Sequence, residues 1–202
     1  MKINSLKKYG LYTILSIILI ILDQYTKHLA NKYLMNKKPF VIVKGVFEFN
    51  YLDGGNTGAT WGIFSGNIIF LIILPALVCI LLLILIIRTQ KLINFAITNN
   101  INVSRISKLY TILQLTIVLL ISGAIGNFID RITKHYVIDF LYFKLIDFPI
   151  FNVADCYVTV SMFVLIILLC FFIKEEELNY IIQNKADMFF QQKKEQQNTN
   201  NK

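Results

Sequence analysis

Residues 109–131 read LYTILQLTIVLLISGAIGNFIDR, an apolar run that closes on an amide, a carboxylate and a guanidinium. The part from Leu109 to Ile129 is long enough to cross the hydrocarbon core of a bilayer, which takes about 20 residues of α-helix. Carboxylates and amides at the margin of a bilayer are costly to desolvate, so each of them calls for a partner or a function. The stretch therefore predicts a membrane helix whose polar end contributes to a site.

Three other segments also predict membrane helices. Val153 to Ile173 is long enough, and Ile68 to Ile87 is broken only by Pro75, which neighbouring helices can accommodate. The first segment is different, because its apolar run from Leu11 to Leu22 is too short to cross a bilayer. A span in this part of the chain must therefore include the polar residues that follow the run.

Those polar residues are Asp23, Thr26 and Lys27, of which Asp23 and Lys27 have the i, i+4 spacing of an ion pair on a helix. A cleavable signal peptide is the alternative for this segment, although no small-residue cleavage site follows it. Only 16% of the chain is charged, against about 25% in soluble domains. We therefore predict a membrane α-helical protein with four transmembrane helices in one domain, residues 1–173, with spans at about 10–29, 68–87, 109–129 and 153–173.

The parts outside the spans have patterns of their own. Residues 40–52 read FVIVKGVFEFNYL, and these β-branched and aromatic residues predict a strand, or a hairpin that turns near Gly45. We interpret this as a small extracytoplasmic β element that serves as a platform for a substrate; a loop stiffened by lipid contact is the alternative. Residues 88–108 are interpreted as a connecting loop, and residues 174–202 as a polar, partly disordered tail with a short surface helix at 178–190.

An even number of spans places both termini on the same side of the membrane. The N-terminal arm and the 88–108 segment carry lysine or arginine and no acidic residue, which favours the cytoplasm for both. Lysines on the opposite side make this signal modest. Five polar clusters then fall together on the outer side of the membrane: residues 23–27 (DQYTK), 56–61 (NTGATW), 123–131 (GAIGNFIDR), 137–140 (VIDF) and 151–155 (FNVAD).

Composition excludes several other classes of protein. The net charge of +8 favours contact with anionic membrane phospholipid, and no basic stripe typical of nucleic-acid binding is present. The three cysteines lie in or beside apolar spans, and their spacing suggests neither a disulfide framework nor a zinc site. We therefore predict no metal and no cofactor, and nothing in the sequence implies an oligomer.

Asp139 and Asp155 are the candidate catalytic residues. Asp155 follows Asn152 by three residues at the start of the fourth span, so the two side chains can share a helix face, with Asn152 as the N-cap. Two carboxylates in a partly desolvated site do not both ionise easily, so one holds a proton while the other acts as a base towards water. The fourth helix's N-terminus favours the charged form at Asp155. Such a pair can hydrolyse an amide without a metal.

The order and spacing of the five clusters resemble lipoprotein signal peptidase, the bacterial membrane aspartyl peptidase family also called signal peptidase II. The motifs D-Q-x-T-K, N-x-G-x-x-W, G-x-x-G-N-x-x-D-R, V-x-D-F and F-N-x-A-D occur in order over residues 10–173. Ser122 and Thr60 depart from the residues that are common in the family. The resemblance implies cleavage of diacylated prolipoproteins before the lipid-modified cysteine, with Asp139 and Asp155 as the dyad. It implies supporting roles for Asp23, Lys27, Asn56, Gly58, Asn127, Asp130, Arg131 and Asn152.

Other functions fit the residues less well. Intramembrane carboxylates also build proton relays in transporters, but the acidic residues of this chain gather at one side of the membrane. A metal-dependent lipid transferase would need several carboxylates or histidines at helical spacing. For Asp130 and Arg131, a purely structural ion pair at the helix end is the alternative to a role in the site. Trp61 is interpreted as an interfacial anchor.

Overall fold

The computed structural model describes residues 5–58 and 68–183 of the chain. Most of them are helical, and three short strands form an antiparallel sheet. The elements in chain order are α1 (Ser5–Leu34), β1 (Phe40–Val43), β2 (Phe47–Phe49), α2 (Ile68–Thr98), α3 (Val103–Lys134), β3 (Leu141–Phe143), a 3₁₀ turn (Lys144–Ile146), α4 (Val153–Ile167), its π-helical continuation (Leu168–Phe172) and α5 (Glu175–Gln183).

Four helices are long and apolar enough to cross a membrane, as predicted. They are Ser5–Leu34, Ile69–Thr98, Val103–Lys134 and Val153–Phe172. The interpretation of residues 88–108 as a loop is wrong, since α2 runs to Thr98 and α3 begins at Val103. Only a short turn separates them, in which Asn100 and Asn102 adopt positive φ angles of 54° and 40°, a conformation that asparagine tolerates better than most residues.

The predicted β element is confirmed as a three-stranded sheet in the order β1-β2-β3. The hairpin between β1 and β2 turns at Gly45, whose φ of 75° is accessible to glycine without strain. β3 pairs antiparallel with β2, with Glu48 opposite Tyr142. Isolated bridges between Asn56 and Val137, and between Leu141 and Phe151, bind the flanking loops to the sheet.

A small apolar core joins this sheet to the end of α1. Ala30, Tyr51, Ile138 and Phe140 are buried together, and the hydroxyl of Tyr51 donates to Asn31 Oδ1 at 3.0 Å. Asp139 lies between two of these core residues, so the packing of Ile138 and Phe140 fixes the backbone that carries its carboxylate.

Glycines allow α3 to approach its neighbours closely. A Cβ atom at Gly126 would lie 2.5 Å from Asp23 Oδ2, and one at Gly123 would lie 2.5 Å from the backbone oxygen of Ala154. Ser122 donates or accepts a 2.9 Å hydrogen bond with Ser16. This small-residue stripe therefore packs α3 directly against polar atoms of α1 and backbone atoms of α4, as the Ser122–Gly126 spacing indicates.

The chain divides into two compact units, Met1–Ile80 with Val118–Ser161 and Leu81–Ile117 with Met162–Lys202. In the second unit, the buried carboxylate of Glu177 on α5 pairs with Arg105. Arg88 donates to the carbonyl oxygens of Ile181 and Ile182 at 3.1 and 2.8 Å. The helix predicted at 178–190 is thus Glu175–Gln183 within the described chain, and residues 184–190 and the rest of the tail lie outside it.

Candidate active site

The site, which lies in the first unit, is built on a buried lysine. Lys27 is fully buried in α1, and its ammonium group contacts Asp23 Oδ2 at 2.9 Å and Asp130 Oδ2 at 3.0 Å. The predicted i, i+4 pair is therefore confirmed, but it is half of a larger cluster. The same ammonium donates to Asn127 Oδ1 at 2.9 Å. One cation thus compensates two buried carboxylates and also holds an amide.

Asp130 does not pair with its neighbour Arg131, contrary to the ion-pair interpretation. Its oxygens contact Lys27 and Lys134, the latter at 2.8 Å. Successive residues of an α-helix point about 100° apart, so Arg131 extends in another direction, where it lines a cleft and donates to the backbone oxygen of Gly58 at 3.2 Å.

Asp23 joins α1 to α4. Its Oδ1 accepts the backbone N–H of Ala154 at 3.0 Å, and Gln24 donates to its Oδ2 at 3.2 Å. The N–H of Ala154 belongs to the first turn of α4, where backbone donors have no partner within the helix. Asp23 therefore positions the start of α4, the turn that carries Asp155.

Asn152 and Asp155 form a reciprocal cap at the start of α4. The backbone N–H of Asp155 donates to Asn152 Oδ1, and the backbone N–H of Asn152 donates to Asp155 Oδ2, both at 3.0 Å. This is the geometry of a capping box, with the N-cap and N3 residues bonding to each other. The predicted N-cap is confirmed, and one oxygen of Asp155 is fixed in direction.

Asn127 fixes the other oxygen. Its Oδ1 accepts from both Lys27 and Asn152, at 2.9 and 3.0 Å, so its Nδ2 is directed at Asp155 Oδ1, 2.8 Å away. An amide has one acceptor end and one donor end. Because two donors occupy the oxygen of Asn127, its orientation is determined, and it links the charge of Lys27 to Asp155 without direct contact between them.

Asp139 is held by two further amides. Asn152 Nδ2 donates to Asp139 Oδ1 at 2.6 Å, and Asn56 Nδ2 donates to Asp139 Oδ2 at 2.8 Å. Asn56 is itself anchored by paired backbone bonds with Val137, while its Oδ1 accepts the N–H of Gly58 at 3.0 Å. Asn152 thus bonds to both Asp139 and Asp155.

Asp139 is only 1% exposed. Burial raises its pKa to about 7, and the nearby charge of Asp155 adds to the increase. Hydrogen bonds from Asn56 and Asn152, and the charge of Lys27, lower the pKa by less. The protonated form of Asp139 is therefore favoured below a pH of about 7.

A cleft of about 870 Å³ opens beside the two carboxylates. Its polar lining residues include Asn56, Asn127, Arg131, Asp139 and Asp155. Most of its other lining residues are apolar, and those from β3, from the segment after it and from α4 form what we call the apolar wall: Phe143, Ile146, Phe148, Pro149, Ile150, Phe151 and Val160. The cleft thus joins two carboxylates to a surface suited to hydrocarbon.

All ten residues singled out from the sequence belong to one connected hydrogen-bond network. Thr60 and Trp61 lie outside the described residues. Three features were not predicted: Lys134 as a partner of Asp130, Gln24 as a bridge from Asp23 to the Gly126 carbonyl at 3.0 Å, and the apolar wall. The i, i+4 spacing of Asp130 and Lys134 was a usable signal for the first of these.

The described residues do not bring together a group of metal ligands. Within residues 5–58 and 68–183, no three His, Cys, Asp or Glu side chains are grouped as ligands of an ion. Cys156 is half-buried and lines the cleft next to Asp155. Independence from metal stays a prediction.

Solved structures and sequence relatives agree with this picture. Two structures described as a bacterial membrane enzyme superpose with a TM-score of 0.61; one is 28% identical, covering 88% of this chain and 93% of its own, and the other is 29% identical, covering 81% and 95%. The fold and its polar cleft thus define a membrane enzyme, consistent with the hydrolase class and the multi-pass membrane protein that the clusters and spans predicted.

The family follows from sequence. Residues 15–172 match the family described as signal peptidase (SPase) II. Proteins named lipoprotein signal peptidase are similar along most of the chain. The one from Clostridium tetani is 41% identical over 78% of this chain and 88% of its own, and the one from Lactobacillus johnsonii is 35% identical over 86% and 99%. The chain belongs to the signal peptidase II family, and the resemblance drawn from the five clusters is confirmed.

Proposed function

We propose that the chain is a membrane aspartic endopeptidase that removes signal peptides from diacylglyceryl-modified bacterial prolipoproteins, cutting before the lipid-modified cysteine. The observation that carries the proposal is that Asp139 and Asp155 reach one cleft and are bridged by Asn152. Membership of the signal peptidase II family supports the substrate class. Asp139 and Asp155 are the proposed catalytic residues.

In the proposed reaction the two carboxyl groups share one proton near neutral pH. We place the proton on Asp139, whose pKa burial raises to about 7, and we take Asp155 as the base, because the N-terminus of α4 favours the charged form there. Asp155 takes a proton from water as the water oxygen bonds to the scissile carbonyl carbon, and Asp139 gives its proton to the carbonyl oxygen. The tetrahedral intermediate then collapses: the C–N bond breaks, Asp155 protonates the leaving amine, and Asp139 recovers a proton from the hydroxyl group.

The surrounding amides support this chemistry by orienting the pair. Each oxygen of Asp139 accepts one amide N–H, from Asn56 or Asn152, and keeps a further lone pair for water or substrate. Arg131 lies on the cleft surface with one nitrogen bound to Gly58. Its remaining donors are available to hold a peptide carbonyl of the substrate, beside the reacting bond.

The apolar wall accounts for the kind of substrate. A signal peptide has an apolar segment of roughly 7–15 residues, and a diacylglyceryl group adds two hydrocarbon chains. These groups come from the hydrocarbon of the bilayer and not from water, so packing against Phe143, Ile146 and Phe148 favours the complex through close van der Waals contact and fit of shape. The peptide bond near the lipid anchor would then lie beside the polar lining residues, which include Asp139 and Asp155.

The direct test is incubation of the purified protein with a diacylated prolipoprotein. Mass spectrometry should detect a released signal peptide and a product that begins at the lipid-modified cysteine. The same precursor without the diacylglyceryl group is the substrate control. Release of a peptide that ends elsewhere, or equal cleavage of both precursors, would contradict the proposed specificity.

The dyad is tested by Asp139→Asn and Asp155→Asn, each of which should lower turnover by about 10²–10⁴-fold. The double variant should be little worse than either single variant, because residues that act as a unit are not additive. Asp53→Asn, the same change at an exposed turn residue near the site, is the matched control. Near-normal turnover in either dyad variant refutes the assignment.

We also propose that the protein lies in the bacterial cytoplasmic membrane with both termini inside and the site near the outer face. Single cysteines introduced at Asp53 and at Lys91, in a background without the native cysteines, test this orientation in intact cells. An impermeant thiol reagent should label the first position and not the second. Labelling of position 91 from outside would contradict it.

A further inference from the structure

The edge of the sheet exposes an unusual apolar strand. Within the described chain β1 pairs only with β2, and all four of its side chains are exposed: Phe40 by 60%, Val41 by 51%, Ile42 by 46% and Val43 by 50%. Successive side chains of a strand point to opposite faces, so neither face of β1 is covered. A continuous apolar patch outside the membrane spans marks a surface that meets a partner or a membrane.

The residues around this strand are basic. The sequence from residue 28 to residue 47 contains no aspartate or glutamate. Its lysines at 32, 37, 38 and 44 are all exposed, and none forms an ion pair with a residue in the described ranges. By contrast, Lys144 on the same side of the molecule is neutralised by Glu48 at 3.2 Å. The segment from Lys32 to Lys44, which we call the β1 edge, therefore carries four uncompensated positive charges.

The β1 edge also lies where a membrane span ends. α1 finishes at Leu34, and Tyr33, 55% exposed with the ammonium of Lys32 over its ring at 5.2 Å, has the amphipathic character of an interfacial aromatic residue. The sheet is held close to this helix end by the packing of Ala30 and Tyr51. The lysines and the apolar strand are thus placed at the level of lipid headgroups.

A second apolar element extends the same surface. Leu145 and Ile146 are 69% and 68% exposed, and the N–H of Leu145 donates to the carbonyl of Val46 in the hairpin turn at 3.3 Å. Ile146 also lines the cleft. The surface is therefore continuous from the exposed strand to the apolar wall beside the candidate active site.

We propose that the β1 edge is a binding surface for anionic phospholipid, with the lysine ammonium groups on the lipid phosphates and the side chains of Phe40–Val43 between the headgroups. Each lysine near an anionic membrane surface favours binding by about fivefold. Docking of this edge holds the mouth of the cleft at the membrane surface, where a lipid-anchored substrate arrives. The proposed lipid binding by the β1 edge does not depend on which reaction the active site catalyses.

The experiment measures which lipid surrounds β1. Ile42→Trp in a Trp61→Phe background places the single tryptophan on the strand of the full-length protein. The protein is reconstituted in phosphatidylcholine vesicles that contain a small fraction of brominated phosphatidylglycerol or, in parallel, of brominated phosphatidylcholine. Bromine quenches tryptophan only at close range, so the ratio of the two quenching constants reports local enrichment of the anionic lipid.

We expect brominated phosphatidylglycerol to quench at least about fivefold more strongly, the contribution of one lysine. Changing lysines 32, 37, 38 and 44 together to glutamine should bring the ratio to one, and changing them to arginine should preserve it. Equal quenching by both lipids, no quenching by either, or a preference that survives the glutamine changes would each overturn the proposal. Signal-peptide release is measured separately on the protein with its native lysines, so equal quenching by the two lipids together with normal cleavage would overturn the lipid surface and leave the proposed function intact.

Discussion

Lys27→Met is the most informative single substitution, because it removes a buried cation and keeps most of the buried volume. Lys27, Asp23 and Asp130 are each 0% exposed, and the ammonium lies 2.9 and 3.0 Å from the two carboxylates. Removing one partner of a buried ion pair costs about 3–5 kcal/mol, since the other charge remains desolvated.

The size of this loss of stability depends on which ion-pair and hydrogen-bond partners each carboxylate keeps. Asp130 keeps Lys134 at 2.8 Å and the N–H of Ile138 at 3.4 Å. Asp23 keeps only neutral donors, the N–H of Ala154 and the amide of Gln24. Only one of the two carboxylates is therefore left without a cation. We expect the free energy of unfolding to fall by about 3 kcal/mol, the lower end of that range.

Lys134→Met is the matched control, since it removes an ammonium group from the same acid, Asp130. The side chain of Lys134 is 34% exposed, so water replaces part of its interaction and the loss should be about 0–1 kcal/mol. Combining Lys27→Met with Asp23→Asn should recover part of the stability, because the stranded charge is removed.

The assay is unfolding in mixed micelles with increasing sodium dodecyl sulfate, followed by circular dichroism, on protein reconstituted under identical conditions. We expect the midpoint of Lys27→Met to fall well below that of Lys134→Met. Equal stabilities for the two variants would show that the buried cluster does not depend on Lys27, and would refute the role of this lysine as the cation that compensates Asp23 and Asp130.

Other predictions follow from the same contacts. Because proposed catalysis needs a protonated Asp139 and burial raises its pKa to about 7, kcat should fall as the pH rises through that value; a constant kcat up to pH about 9 would argue against this role. Gly126→Ala should lose about 1–3 kcal/mol in the same unfolding assay, because the new Cβ would meet Asp23 Oδ2 at 2.5 Å. Gly10→Ala, with nothing within 4 Å, should be neutral or stabilising. Cleavage should survive EDTA, and loss of activity that zinc restores would contradict the two-carboxylate reaction.

The sequence predicts the local parts of the site well. The Asp23–Lys27 pair, the Asn152 cap and the Gly45 turn each depend on residues within four positions of one another, so spacing alone determines them. The bilayer adds a strong constraint, because a continuous apolar run of about 20 residues has few alternatives.

The long-range parts were predicted less well. Asp130 pairs with Lys27, which is 103 positions away in the chain, and no local pattern distinguishes that partner from the adjacent Arg131. The C-terminal end of α2 and the N-terminal end of α3 were missed for a different reason. Outside the bilayer a helix needs only an apolar face, and Leu92, Ile93 and Ala96 form one with helical spacing instead of a continuous run.

The use of amides around the dyad has a chemical reason. If a lysine contacted Asp139 or Asp155 directly, it would favour the ionised form of that carboxylate, and the pair could not keep the shared proton that the proposed reaction needs. Asn56, Asn127 and Asn152 provide donors without charge, so they fix the directions of the carboxylates and favour the ionised form less than a lysine in direct contact would. The cation that the buried acids require is held one residue further away, at Lys27, where Asp23 and Asp130 balance it.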